Sequence, residues 1–87
     1  MSEWYVYMVR CADGTLYTGI AKNIESRIAQ HNAGQGAKYT RGRLPVHLIY
    51  QELAGNRGAA LRRELEIKRL PVAEKQRLAA RLSIPGR

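Results

Sequence analysis

Two short segments near the N-terminus have the composition of β-strands, and a turn sequence joins them. Residues 4–10 read WYVYMVR and residues 15–20 read TLYTGI, and both are rich in aromatic and β-branched side chains. The intervening CADG contains Asp13 and Gly14, residue types that favour tight turns. The two segments therefore predict a β-hairpin, and this pairing constrains the fold more than any other feature of the chain.

The length of the hairpin loop decides where Tyr7 and Tyr17 point. A two-residue loop, Asp13-Gly14, would place the two tyrosines on opposite faces of the hairpin. A three-residue loop, Ala12-Asp13-Gly14, with the glycine in the left-handed region, would place both on one face. The residue types alone leave both registers open.

A helix with clear end signals follows the hairpin. Asn23 is a good N-cap and Gly34 a good terminator, so the helix is predicted over residues 24–33. Helical spacing places Arg27 and His31 on its inward stripe, where apolar residues are expected. An isolated polar pair of this kind would ordinarily flank the stripe and reach solvent, so the pair gains meaning only if other polar groups point to the same place.

The rest of the chain predicts a loop, a third strand and two helices. Residues 35–45, QGAKYTRGRLP, interleave basic side chains with a tyrosine, which suits phosphate contacts and base stacking and equally suits a solvated loop. The strand is predicted over residues 46–53, and the helices over residues 57–70 and 72–82.

The first of these two helices carries a charged pair on its inward side. Its predicted apolar arc consists of Ala60, Leu61, Leu65 and Ile67. Glu64 and Lys68 fall inside this arc with a spacing of four residues, as an ordinary helical ion pair would. A carboxylate that faces the interior is costly unless it binds something.

Length and charge limit what the chain can do. Its 87 residues predict a single domain over residues 1–82 with a short tail at 83–87, too little chain for a two-domain cofactor enzyme. The net charge is +8, of which residues 41–87 contribute +7, and such a field favours a polyanion such as nucleic acid. The single cysteine favours a reducing compartment such as the cytoplasm. The sequence shows no long apolar segment and no signal peptide, so we expect no membrane association.

The predicted inward-pointing polar residues form one constellation. Its members are Tyr7, Tyr17, Arg27, His31 and Glu64. Phosphodiester hydrolysis needs such a set: a carboxylate for a divalent ion, a guanidinium to offset phosphate charge, and a phenol or imidazole to move a proton. A phenol has a reference pKa of about 10, so a tyrosine base would depend on nearby cations. Motifs for nucleoside triphosphate binding, zinc proteolysis and serine acyl transfer are absent from the sequence.

The order of these residues resembles the GIY-YIG nuclease superfamily, and in particular its small stand-alone bacterial members. The resemblance covers residues 4–80 and rests on an ordered set of short segments. These are Tyr5-Val6-Tyr7, Tyr17-Thr18-Gly19, Lys22-Asn23-Ile24, the helix with Arg27 and His31, Ala37-Lys38-Tyr39-Thr40, and Ala60-Leu61-Arg62-Arg63-Glu64.

The resemblance implies an α+β fold, a three-stranded antiparallel sheet flanked by helices in the order β-β-α-β-α-α. It also implies metal-dependent cleavage of nucleic acid, most readily DNA. Tyr7 and Tyr17 would be the active-site tyrosines, with Tyr17 favoured as general base or water-orienting group, and both on one face of a hairpin with the three-residue loop. Arg27 would stabilise the transition state and His31 would assist proton transfer or phosphate binding.

The resemblance also implies that Glu64 would hold one Mg²⁺ or Mn²⁺ ion. We expect the basic segments to hold the nucleic acid through Lys38, Tyr39, Arg41, Arg43, Arg62 and Lys68. A bare catalytic domain also leaves room for a partner protein that supplies specificity.

Three departures from the family pattern bear on activity. Tyr5 replaces the first glycine, Ile20 stands where the excision-repair incision subunit has a lysine, and no asparagine can be placed after Glu64. They predict weaker activity or a substitute group such as Lys68. Two classes of function therefore stay open: a metal-dependent endonuclease, or a nucleic-acid-binding module with the same fold and little turnover.

Overall fold

The computed structural model describes residues 3–83, and the side chains of residues 3–81. Seven elements follow one another along the chain. They are β1 (Trp4–Arg10), β2 (Leu16–Ala21), α1 (Ile24–Asn32), α2 (Lys38–Arg41), β3 (His47–Gly55), α3 (Arg57–Lys68) and α4 (Val72–Ser83). The predicted α+β fold is confirmed, with α2 as an additional short helix.

The three strands form one antiparallel sheet in the order β2-β1-β3. In the hairpin, Tyr7 pairs with Gly19 and Val9 pairs with Tyr17, the register of the three-residue loop. The Gly14 amide donates to the Cys11 carbonyl at 2.9 Å, and Gly14 has a φ of +87°, where glycine avoids the Cβ penalty. The three-residue loop, which the family resemblance favoured, is confirmed.

The central strand β1 is buried on both of its faces. One face packs against α3 and α4 in a cluster of Val6, Met8, Tyr50, Ala60, Ile67 and Ala79. The other face packs against α1 and the segment before β3, in a cluster of Tyr7, Val9, Cys11, Ala21, Ile24 and Val46. The alternation of side chains along β1 thus divides the core into two layers.

The helix ends follow the capping signals in the sequence. The Asn23 side chain accepts from the Ser26 amide at 3.0 Å, and the Asn56 side chain accepts from the Ala59 amide at 2.8 Å. Gly34 adopts a φ of +79° just beyond α1. The predicted helix boundaries agree with the structure to within two residues at each end, for helices 24–33, 57–70 and 72–82.

Two expectations from the sequence are wrong. The segment 35–45 is not a continuous loop, because it contains the helical turn α2. Leu61 and Leu65 do not belong to the buried stripe of α3, since 39% and 49% of their surface is exposed. The stripe follows Ala60, Glu64 and Ile67 at the i, i+4, i+7 spacing, and the two leucines lie about 100° away from it around the helix.

Within residues 3–83, no helix is long and apolar enough to cross a membrane. Of the tail expected at residues 83–87, only Ser83, the last residue of α4, lies within the described part of the chain.

Candidate active site

The hairpin places the two motif tyrosines side by side. The Tyr7 and Tyr17 rings lie on the face of the sheet that α1 covers, with their centroids 6.5 Å apart. Gly19, the cross-strand partner of Tyr7, makes this packing possible, because a Cβ atom there would lie 2.6 Å from the Tyr7 hydroxyl oxygen. Glycine is thus required at this strand position because a larger residue would collide with the Tyr7 side chain.

His31 of α1 completes a cluster of three rings. Its centroid lies 5.9 Å from that of Tyr7 and 5.5 Å from that of Tyr17. The Tyr7 hydroxyl and His31 Nε2 are 2.7 Å apart, and His31 Nδ1 lies 2.9 Å from Thr40 Oγ1 in α2. The histidine therefore bridges the hairpin and the short helix, which the sequence had predicted as loop.

The hydroxyl of Thr40 fixes the tautomer of His31. Thr40 Oγ1 donates its single hydrogen to the Ala37 carbonyl at 2.9 Å, so it can only accept from His31. Nδ1 must therefore carry the imidazole proton, and Nε2 accepts the proton of the Tyr7 hydroxyl. Burial, with the nearby Arg27 charge, lowers the pKa of His31, which agrees with a neutral ring at pH 7.

The Tyr7 hydroxyl lies in a strongly perturbed environment. Burial is the main cause of a rise in its pKa to about 12, to which the charges of Tyr17 and Glu64 contribute and which the Arg27 guanidinium opposes. Since these three groups act on one phenol, α1, α3 and the hairpin all contribute to a single site. Arg27 also donates to the side chain of Gln30 at 3.0 Å, which holds the guanidinium along α1.

Glu64 is the one carboxylate of the predicted constellation. Its side chain is only 18% exposed, and Lys68 Nζ lies 3.3 Å from its Oε2 atom. The same ammonium group lies 5.8 Å from the centroid of the Tyr17 ring. The predicted pair on α3 thus borders the tyrosine cluster, and Lys68 neutralises the carboxylate in this structure.

Exposure separates the five predicted residues into two groups. Tyr7 and His31 have no exposed surface, as does Thr40 behind them. Tyr17, Arg27 and Glu64 are only partly buried and can contact a bound molecule. A substrate would therefore contact these three residues, with the Tyr7–His31 pair behind them.

The residues predicted to hold nucleic acid occupy different settings. The Tyr39 ring stacks on Tyr17, with centroids 5.8 Å apart and an interplanar angle of 22°. Arg43 Cζ lies 4.0 Å from the centroid of the Tyr39 ring, and the guanidinium pairs with Asp13 at 3.0 Å and donates to the Tyr39 carbonyl at 2.7 Å. Arg43 thereby braces Tyr39 beside the site. The remaining predicted cations are exposed on α2 and α3, namely Lys38, Arg41 and Arg62.

The donor set suits a magnesium-type ion held mainly by other ligands. Among the described residues, no group of three or more His, Cys, Asp or Glu side chains could hold a metal ion. Mg²⁺ ordinarily keeps several waters and uses one or two carboxylates together with substrate phosphates. A single, partly buried carboxylate at Glu64 fits that requirement and does not fit a site built wholly from protein ligands.

Two contributors to the site escaped the sequence analysis. Thr40 was noted only as part of a motif, yet it orients His31. Gly36 packs so closely on the His31 imidazole that a Cβ atom would clash with the ring and with the His31 backbone. The glycines of segment 35–45 suggested flexibility, and only the fold shows that this one is required by a close contact.

Comparisons with known proteins agree with the fold. The model of the GIY-YIG catalytic domain matches residues 3–77. A UPF0213 protein of Natronomonas pharaonis is 54% identical over 79 residues, covering 91% of this chain and 93% of that protein. A UPF0213 protein of Staphylococcus aureus is 53% identical over 78 residues, covering 90% and 95%. The solution NMR structure of a UPF0213 protein from Bacillus halodurans matches with a TM-score of 0.61 and 38% identity, covering 95% and 88%.

Proposed function

The chain belongs to the GIY-YIG family, and we propose that it is a metal-dependent endonuclease that hydrolyses phosphodiester bonds in DNA. The observation that carries the proposal is the convergence of Tyr7, Tyr17, Arg27, His31 and Glu64 from β1, β2, α1 and α3 around one phenol. Each of these residues has an ordinary structural explanation alone, but together they supply the groups that phosphodiester hydrolysis requires.

In this proposal, Tyr17 and Arg27 act directly on the substrate. The Tyr17 oxygen, in its ionised form, orients the attacking water and takes up its proton, with the Lys68 ammonium group 5.8 Å from the centroid of the ring. The Arg27 guanidinium offsets the charge that develops on the pentacovalent phosphate. Both side chains are only partly buried, as contact with substrate demands.

Tyr7 and His31 act as positioning residues in the same proposal. Because the Tyr7 hydroxyl gives its proton to His31, its oxygen can only accept hydrogen bonds from its other neighbours. That oxygen therefore orients donors such as the Arg27 guanidinium towards the site. The imidazole donates from Nδ1 to Thr40, which in turn donates to the Ala37 carbonyl, and these two bonds keep Nε2 free to accept the Tyr7 proton.

Glu64 would hold the divalent ion, Mg²⁺ or Mn²⁺. Such an ion, when bound, neutralises charge on the scissile phosphate and on the leaving oxygen. Lys68 pairs with the same carboxylate, so we expect its ammonium group to turn towards substrate phosphate once a cation replaces it. The exposed cations Lys38, Arg41 and Arg62 and the stacked Tyr39 extend the surface available to the strand.

Cleavage of labelled DNA tests the proposal. Single-stranded, duplex and branched substrates are incubated with the protein in Mg²⁺ or Mn²⁺, beside Glu64→Gln and Tyr17→Phe. Both variants should lose at least about a hundredfold in rate, Tyr17→Phe because a general base usually contributes that much and Glu64→Gln because the metal loses its protein ligand. Glu66→Gln is the matched control, because Glu66 is an exposed carboxylate on the same helix that pairs only with Arg63 among the described residues. Equal rates for Glu64→Gln and Glu66→Gln would refute the metal-binding role.

The second candidate is a nucleic-acid-binding module with little turnover. It is favoured by the Lys68–Glu64 ion pair, which leaves the lone carboxylate neutralised. In that case the protein would bind the same DNA with and without metal, and none of the substrates would be cut. Metal-dependent cleavage abolished by Glu64→Gln excludes this alternative.

A further inference from the structure

A groove extends from the proposed active site along the outer edge of the sheet. Its volume is about 350 Å³, and Arg27 and Gln30 of α1 line one part of it. Trp4 of β1 and Ile20 of β2 line another part, with Lys22 between the strand and the helix. The groove therefore joins the arginine proposed to meet the scissile phosphate to an aromatic ring with no role in the site so far.

Trp4 has the setting of a stacking platform. It is partly buried and packs against the core cluster around Val6 and Met8, so its indole is held in place and still accessible. Two cations lie within cation–π distance of the ring, Lys22 Nζ at 5.4 Å and Arg57 Cζ at 5.7 Å from its centroid. An accessible indole with two cations nearby is the combination that binds a base and its adjacent phosphates.

The charge of this groove is not neutralised by the protein. Within residues 3–81, Lys22 and Arg57 form no salt bridge, whereas Arg43, Arg63, Lys68 and Arg77 all pair with carboxylates. The residues that line the groove include two cations, Lys22 and Arg27, and no carboxylate, and Arg57 lies beside the groove at the Trp4 ring. Charge complementarity therefore favours an anionic occupant, and the partly buried, accessible indole favours one that carries flat aromatic groups.

We propose that this groove binds an unpaired nucleotide of the substrate strand, with its base against Trp4 and its adjacent phosphates at Lys22 and Arg57. The proposal rests on the proposed function, and it deepens it by naming the substrate class. A base can stack on a protein ring only when its own face is free, so the strand must be single or opened next to the cleavage position.

Intrinsic fluorescence tests the base contact directly, because Trp4 is the only tryptophan in the 87 residues. The wild-type protein is titrated without divalent metal, so that no cleavage occurs, with an eight-nucleotide oligothymidine and with an abasic eight-mer of equal charge. Oligothymidine should quench the emission saturably and the abasic strand should not. A hexaglutamate peptide controls for an acidic protein partner. Equal quenching by the abasic strand or the peptide, or none by oligothymidine, would overturn the proposal.

Variants separate the base contact from the charge contact, with binding followed by the anisotropy of a labelled oligonucleotide. Trp4→Ala should weaken binding of oligothymidine about fivefold or more, and Trp4→Phe should stay within about twofold of wild type, since it keeps a stacking face. Lys22→Ala and Arg57→Ala should weaken the oligothymidine and abasic strands alike. Arg69→Ala is the charge control, because Arg69 is exposed, lies at the opposite end of α3 from Arg57 and does not line the groove.

Two results distinguish this proposal from the nuclease proposal. Base-dependent quenching without cleavage would keep the nucleotide groove and refute turnover. Metal-dependent cleavage without base-dependent quenching would keep the nuclease and refute the groove. Should Trp4→Ala fail to give the wild-type far-ultraviolet circular dichroism spectrum, the wild-type titration and Trp4→Phe decide the question.

Discussion

The side chain of Thr40 offers the sharpest test of how the buried part of the site works. Thr40→Val keeps the shape of the side chain and removes the one atom that accepts from His31 Nδ1 at 2.9 Å. Both residues have no exposed surface, so water cannot replace the lost partner. An unsatisfied buried donor costs about 1–3 kcal/mol.

This cost acts on the tautomer of His31 as well as on stability. With Nδ1–H unpaired, moving the proton to Nε2 becomes more favourable by up to the same 1–3 kcal/mol, a factor of about 5 to 150 in the tautomer ratio. In the new tautomer, Nε2 donates to the Tyr7 oxygen, and the Tyr7 hydroxyl proton, no longer held by His31, is free to point at other neighbours. We therefore expect slower cleavage. We also expect the melting temperature to fall by about 4–8 °C for each kcal/mol of lost stability in a domain of this size.

Nitrogen-15 chemical shifts of the imidazole ring report the tautomer directly. The wild type should show a protonated Nδ1 and an unprotonated Nε2 at His31, and Thr40→Val should shift the ratio towards Nε2–H. Thr40→Ser keeps the hydroxyl and should retain the wild-type spectrum. A wild type with the proton on Nε2, or a Thr40→Val variant with an unchanged ratio, would refute the hydrogen-bond chain from Ala37 to Tyr7.

Three further predictions test the site and its charge. First, burial lowers the pKa of His31 below the value of about 6.5 expected for the unfolded chain, so the unfolded state takes up a proton first on acidification and the melting temperature should fall from pH 7 towards pH 5. His31→Gln should flatten this pH dependence, whereas His47→Gln, the exposed control, should keep it. A wild-type pH profile in His31→Gln would contradict the reasoning. Second, Gly19→Ala places a Cβ atom 2.6 Å from the Tyr7 hydroxyl and should destabilise the fold by about 1–3 kcal/mol in thermal or urea unfolding. In Gly42→Ala the new Cβ atom meets no atom within 4 Å, so stability should not change, and equal stability of the two variants would refute the close contact. Third, binding of single-stranded DNA should weaken steeply with salt, with a slope of log K against log salt steeper than about −2 for three or more phosphate contacts, and a flat dependence measured by anisotropy would exclude the basic surface as the binding site.

The fold was accessible from the sequence because local signals were strong and agreed with one another. The asparagine caps at residues 23 and 56 and the alternating strands each specify an element without reference to distant residues. Loop length in the hairpin was not accessible in this way, because residue types permitted two registers. The need for Tyr7 and Tyr17 to meet at one site favoured the register that the structure has.

Short helices and amphipathic faces were harder to predict for a physical reason. The four residues of α2 form a helix because Thr40 bonds back to Ala37 and across to His31, a tertiary contact with no local signature. On α3, the apolar side chains of Leu61 and Leu65 led to the prediction that they lie on the buried face. In the structure, Glu64 is directed towards the site and both leucines are exposed. The orientation of α3 therefore follows the position of Glu64 at the candidate site and not the pattern of apolar residues.

Burial explains why the five motif residues cannot all have the same kind of role. The sequence places Tyr7 and Tyr17 in equivalent motif positions, yet Tyr7 is sealed beneath Gly19 and bonded to His31, while Tyr17 lies partly exposed between Tyr39 and Lys68. A group with no exposed surface can influence a substrate only through a neighbour. Substitutions of Tyr7, His31 and Thr40 should therefore be strongly non-additive with one another, since each breaks the same hydrogen-bond chain. Substitutions of Tyr17 and Glu64, which we propose act on the attacking water and the metal ion, should each show the full loss of a directly acting group.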